Sequence, residues 1–202
     1  MEISEKFRKK LLNDLFLNID QTNWLTHFYR YMIDSKYRTT ERLDRFFSKQ
    51  LKDPHWNLID IAKTFKGPTY NHIILNILRY VHKEIMYETD ATNWGKVEFW
   101  ASAYETLTKK IDDCDGLNSL IYVLARLAGI PEYMLYACIG DTSAGGHFWL
   151  LYLSPRVGNL FSIDATFYPD FTEIKYRKPF NIGDKYKNIW YIFNENIVMK
   201  PR

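Results

Sequence analysis

The sequence predicts an α+β fold in which a block of helices precedes one antiparallel β-sheet. Two regimes carry this prediction. Up to Leu127, apolar residues recur mostly at helical spacing. Past Pro131 they form short aromatic and β-branched runs separated by glycine-bearing turns. Before the switch lies Lys110-Ile-Asp-Asp-Cys-Asp-Gly-Leu-Asn-Ser-Leu-Ile121, a cysteine among acidic residues directly before a strongly periodic apolar run.

The chain has 202 residues, 47% of them apolar and 17% aromatic, which is ample for a core and excludes a disordered or fibrous protein. The expected division is a helical extension over residues 1–66 and a second unit over 67–202, or one compact unit holding both. A net charge of +3 is too small and too dispersed to point to nucleic acid. No apolar run approaches the ~20 residues of a membrane span. The first residues lack the basic start and apolar segment of a signal peptide, so the expected location is cytoplasmic. Two cysteines in dissimilar surroundings make neither a disulfide framework nor a paired metal motif. Nothing in the composition bears on oligomeric state.

In chain order, Phe7, Leu11, Leu12, Leu15 and Phe16 predict a first helix. Trp24, Leu25, Phe28, Tyr29 and Met32 predict a second. A third holds Leu43, Phe46, Phe47 and Leu51, capped by Thr39 or Thr40 and ended before Pro54. Lys66-Gly-Pro has turn chemistry and makes the best internal boundary. Ile73, Ile74, Ile77, Leu78, Val81 and Ile85 then mark a long helix. Tyr87 to Gly95 reads as an irregular polar connection, and Trp100, Tyr104 and Leu107 as a short helix or turn. Leu117, Leu120, Ile121, Leu124 and Leu127 form the next helix, with Asp112 or Asp113 as N-cap and Gly129 before Ile130-Pro131 as stop. The strands expected are Tyr133 to Ile139, His147 to Leu153, Leu160 to Asp164 and Ile189 to Phe193, the first three as an antiparallel meander.

Cys114 therefore falls in the first turn of a buried helix, where unpaired N–H groups and the helix dipole favour a thiolate. His147 opens a strand directly after Gly145-Gly146. If that strand pairs antiparallel with the next, Asp164 comes to lie beside His147 and can accept its ring N–H. The order is nucleophile, base and orienting acid: Cys114, His147, Asp164. Cys138 sits in an apolar strand and reads as core. His27, His55, His72 and His82 read as surface or packing residues. A metal site built from Cys114, Cys138, His147 and Asp164 matches no recurring zinc spacing, so no metal and no cofactor are expected.

These residues lie within a longer series of motifs: Tyr87-Glu-Thr-Asp, Asn93-Trp-Gly, Phe99-Trp-Ala-Ser-Ala-Tyr-Glu-Thr-Leu107, Asp113-Cys-Asp-Gly, Leu127-Ala-Gly-Ile-Pro131, Gly146-His-Phe-Trp149 and Ile163-Asp-Ala-Thr166. In order and spacing the series resembles the transglutaminase-like superfamily of papain-like folds, in particular its bacterial cysteine peptidases. It spans roughly residues 70 to 168, about half the chain. The resemblance implies a helix bearing the nucleophile packed on an antiparallel sheet, with Cys114, His147 and Asp164 in the triad positions. It implies thiol-dependent acyl chemistry on an amide of a peptide or protein substrate. Hydrolysis by a peptidase is favoured, with a transglutaminase or deamidase as alternatives. A binding or assembly protein that retains the fold is the other reading. Trp94, Trp100 and Asp115 occupy positions that could line the substrate cleft or serve the oxyanion, and Glu105 reads as a brace for the cysteine loop. Two departures stand out: Asp112 replaces a usual glycine, and Ala103-Tyr104 replaces a usual threonine-proline. Asp112, Asp113 and Asp115 would raise the thiol pKa unless they turn outward or cap the helix.

Overall fold

The computed structural model describes residues 43–183 and 185–199. The helices expected around Phe7–Leu17 and Trp24–Met32 lie outside the described residues.

The long helix expected near the cysteine organises the fold. Helix α6 (Cys114–Leu127) starts at the Asp113 N-cap, whose carboxylate accepts the Asp115 N–H, and Gly129 follows its end at φ 91°. Every residue from Cys114 to Ala125 is buried. A helix enclosed on all sides needs partners all round. It finds them in helices α1 (Leu43–Lys52), α2 (Trp56–Thr64), α3 (Tyr70–Glu84) and α5 (Ala103–Lys109), and in the sheet. Leu58 and Ala62 of α2, Phe46 and Phe47 of α1, and Ile74, Ile77, Leu78 and Val81 of α3 share one core with α6. Phe47 stacks on Tyr122 of α6, ring centroids 3.8 Å apart. Helix α2 was not among the named expectations, because its nine residues sit between two prolines and carry only two fully buried apolar side chains.

Among the described residues the main sheet has five strands in the order β5-β4-β3-β6-β7. Strands β3 (Leu135–Thr142), β4 (Gly145–Ser154) and β5 (Asn159–Ile163) form the expected meander, and β6 (Tyr186–Phe193) returns to the free side of β3. Strand β7 (Val198–Met199) adds a short edge that the sequence pattern did not mark. One face of the sheet, including Ala137, Ile139, Phe148, Leu150 and Phe193, packs on the helices. The other, including Tyr136, Cys138, Trp149, Leu151 and Ile192, is covered by Tyr168, Phe180 and Ile182 of the segment between β5 and β6. That segment also runs along β5: the Phe180 N–H donates to the Leu160 carbonyl at 2.7 Å, and the Arg177 guanidinium to that of Ser162 at 3.1 Å.

The expectation of one sheet needs a correction. Strands β1 (Met86–Tyr87) and β2 (Ile111–Asp112) pair in parallel as a second, two-stranded sheet. The Tyr87–Gly95 connection is also less irregular than expected, since it holds helix α4 (Asp90–Trp94). Elements this short show no periodicity to read. No helix among the described residues is long and apolar enough to cross a membrane.

Candidate active site

The antiparallel register brings His147 and Asp164 together. The last β4–β5 pair is Leu150 with Ile163, so the two residues meet where the strands part. The His147 Nε2–H donates to Asp164 Oδ2 at 2.7 Å, and both side chains are fully buried. A carboxylate can only accept, so this bond fixes the proton on Nε2. Nδ1 is buried and has no hydrogen-bond partner among the described residues. Phe167 lies flat over the imidazole, centroids 4.4 Å apart, and Trp149 stacks more distantly at 6.0 Å. Burial alone would raise the Asp164 carboxyl. The His147 bond and charge, with the N–H and hydroxyl of Thr166, hold it below the usual range.

Cys114 sits at the first position of α6, as expected, and is buried. Its sulfur accepts the N–H of Phe148, the residue after His147. His147 and Asp164 are thus bonded directly, and the sulfur reaches the same strand one residue on, at Phe148. Their electrostatics differ from the sequence expectation. Only Asp113 caps the helix, while Asp112 and Asp115 are buried. Burial, then Asp113 and Asp115, push the Cys114 thiol well above its ordinary value.

Asp112 is a hub rather than a perturber. Its Oδ2 accepts the Thr106 hydroxyl at 2.7 Å, and its Oδ1 accepts the Trp94 indole N–H and the Asp113 N–H, each at 3.1 Å. Gly116 makes this possible, because a Cβ there would lie 2.3 Å from the Asp112 carboxylate. Trp94 is therefore tied to the turn before Cys114. The Trp100 indole N–H donates to Glu98 at 2.8 Å, and its ring packs edge-on against Phe46 and Phe148. Both indole N–H groups are thus taken by carboxylates. Glu105 makes a capping box with Ser102 at the start of α5, the helix leading into β2 and the cysteine. Tyr104, at the second departure, stacks on His55 with centroids 3.7 Å apart.

Several residues at this corner were not singled out in the sequence. Asn118, one helical turn after Cys114, donates to the Phe148 carbonyl at 2.8 Å and accepts the Ala165 N–H at 3.0 Å. A polar residue inside the apolar stripe of the cysteine helix was its visible signal. Tyr186 donates its hydroxyl to Asp164 at 3.2 Å, across more than twenty residues, with no local signal. Asp90 and Glu98 join Asp115 in a group whose oxygen atoms all lie within 4.8 Å of one another, and Asp113 lies as close to Asp115 and to Cys114. Asp90 Oδ1 and Asp115 Oδ2 are buried and without hydrogen-bond partners among the described residues. Burial and neighbouring Asp113 push the Asp90 carboxyl up to about 7, and burial with Asp113 pushes that of Asp115 well up. Clustered carboxylates with orphaned oxygens are a donor set suited to an oxygen-seeking divalent cation, a possibility that residue spacing had not shown.

No protein-family model and no curated protein sequence matches the chain. Among solved structures it is similar to Legionella pneumophila LapG, at 16% identity over 98% of this chain and 88% of that one, with a TM-score of 0.54. The EGTA-treated form of that protein gives 16% identity over 99% and 87%, with the same TM-score of 0.54. The fold of this chain, helices packed on an antiparallel sheet, is the one it shares with that structure.

Proposed function

We propose that the protein is a cysteine hydrolase that acts on an amide bond of a peptide or protein through Cys114, His147 and Asp164. The observation that carries this reading is the buried 2.7 Å bond from His147 to Asp164 beside a helix-start cysteine whose sulfur is bonded to the next residue of the same strand. Asp164 holds the proton on Nε2 and orients the ring, which leaves Nδ1 to take the thiol proton. The thiolate attacks the amide carbonyl. The N–H of Cys114, at a helix position with no partner in the helix ladder, faces the developing oxyanion. His147 returns the proton to the leaving amine as the C–N bond breaks, giving a thioester. Water, deprotonated at Nδ1, hydrolyses that thioester and restores the thiol. An amine in place of water would make the same site a transferase.

Asp90, Glu98, Asp113 and Asp115 fit a hard divalent cation, because two of these carboxylates keep an oxygen with no hydrogen-bond partner among the described residues. Such an ion would supply positive charge beside Cys114 and offset the carboxylates that disfavour its thiolate.

The opposite reading, a binding protein that keeps the fold, draws on the complete burial of His147 beneath Phe167. One experiment separates them. Iodoacetamide is reacted with the native protein and with Cys114→Ala, with and without calcium, and the modified residue is located by mass spectrometry. The enzyme reading expects alkylation at Cys114, lost in the variant. Modification at Cys138 alone, or none in the folded protein, sinks it. A peptide library incubated with and without added amine then distinguishes cleavage from transfer.

A further inference from the structure

Strands β4 and β5 end their pairing at Leu150 and Ile163. Continued in register, the ladder would set Trp149 against Asp164 and Phe148 against Ala165. It does not continue. The carboxamide of Asn118 occupies that next step, its N–H donating to the Phe148 carbonyl at 2.8 Å and its oxygen accepting the Ala165 N–H at 3.0 Å. A side chain from the cysteine helix thus stands in for a peptide group between two parting strands. The second amide hydrogen points to Asp164 Oδ1 at 3.5 Å. Asn118 is fully buried, and an amide in that setting destabilises the fold unless it is bonded. Here the bonds reach every part of the site: the helix that carries Cys114, the strand that carries His147 and the strand end that carries Asp164. Phe148 is gripped twice by the same helix, its N–H by the Cys114 sulfur and its carbonyl by Asn118.

We propose that Asn118 is a positioning residue whose carboxamide, wedged where β4 and β5 part, sets the mutual placement of Cys114, His147 and Asp164. The proposal rests on the triad reading and adds to it the group that holds the triad's members together. Without the wedge, Phe148 and Ala165 can bond directly, and the strands that carry His147 and Asp164 close on each other. An apolar residue of similar size would fill the space but leave two buried backbone groups unpaired.

The test compares wild type, Asn118→Ala and His147→Ala under the same conditions. Two quantities are measured: the rate of iodoacetamide alkylation at Cys114 across pH, and the ring nitrogen and Nε2–H resonances of His147. The wild type is expected to show an Nε2-protonated ring. Asn118→Ala is expected to keep its fold, to alkylate at least about tenfold more slowly near neutral pH, and to show a displaced or exchange-broadened Nε2–H resonance. Slower alkylation with an unmoved ring signal, or a rate within twofold of wild type whatever the change in melting temperature, overturns the proposal. If the alanine variant does not fold, Asn118→Asp replaces it, since it keeps the acceptor for Ala165 and loses the donor to Phe148. Failure of both to fold assigns Asn118 a purely structural role and likewise overturns the proposal. A wild type that is not alkylated, or that His147→Ala matches in rate and pH profile, refutes the triad reading instead.

Discussion

Asp164 receives bonds from His147, from the Thr166 N–H and hydroxyl, and from Tyr186, all between 2.7 and 3.2 Å. Burial raises its carboxyl, but these donors and the His147 charge outweigh burial and leave it below its usual value. A carboxyl with a folded pKa below its unfolded value stabilises the fold above the unfolded value of about 3.9. That contribution is lost as pH falls through the folded value. Asp164→Asn is therefore expected to be less stable than wild type at neutral pH, with a flatter loss of melting temperature below about pH 4. Thermal unfolding across the acid range checks this, and parallel curves for the two proteins would refute it. At this scale the sequence was informative where a residue's placement follows local pattern. Cys114, His147 and Asp164 each sit at a recognisable element start or end. Asn118 and Tyr186 act through contacts across the fold, and such contacts leave little trace in the neighbouring residues.

Among the elements, helix α6 was read almost to its ends because its cap, its apolar repeat and its stop are all local. Strands β3, β4 and β5 were legible through alternation and the turns between them. What escaped was α2, with few buried residues, and the two-residue strands β1, β2 and β7, which are held by partners rather than by pattern. The junction of β2 with α6 also accommodates Asp112. Gly116, in the first turn of the helix, supplies the space its carboxylate fills. The two positions are therefore coupled. Gly116→Ala is expected to destabilise the protein by ~1–3 kcal/mol, because its methyl group collides with the buried Asp112 carboxylate. Asp112→Gly in the same chain should recover part of that loss by removing the clash, although it also removes three hydrogen bonds. Chemical denaturation of the two single variants and the double variant measures the coupling, and strictly additive losses would exclude it.

For the molecule as a whole, the acidic group is assembled from separate segments. Asp90 belongs to α4, Glu98 to the loop before α5, and Asp113 and Asp115 to the start of α6. A cation held there binds the folded chain and not the unfolded one. Calcium or magnesium at about a hundredfold excess over its dissociation constant would add ~2.7 kcal/mol. For a chain of this size that corresponds to roughly 5–10 °C in melting temperature. Calorimetry with each ion, with EGTA, and with Asp115→Asn checks this. The expected result is a rise with the ion that EGTA reverses and the substitution abolishes. An unchanged melting temperature with both ions would rule out the cation.

The bonds from Phe180 and Arg177 to Leu160 and Ser162 have a consequence for how copies of this chain behave in a crowded solution. An uncovered edge strand is a template on which another extended chain can add. On the β5 side these two carbonyls are already taken by the protein's own return segment. On the opposite side, the described part of strand β7 pairs with Ile192 and Phe193, the last two residues of β6. The β5 margin is thus closed from within, and edge-to-edge addition there is resisted without a partner to shield it.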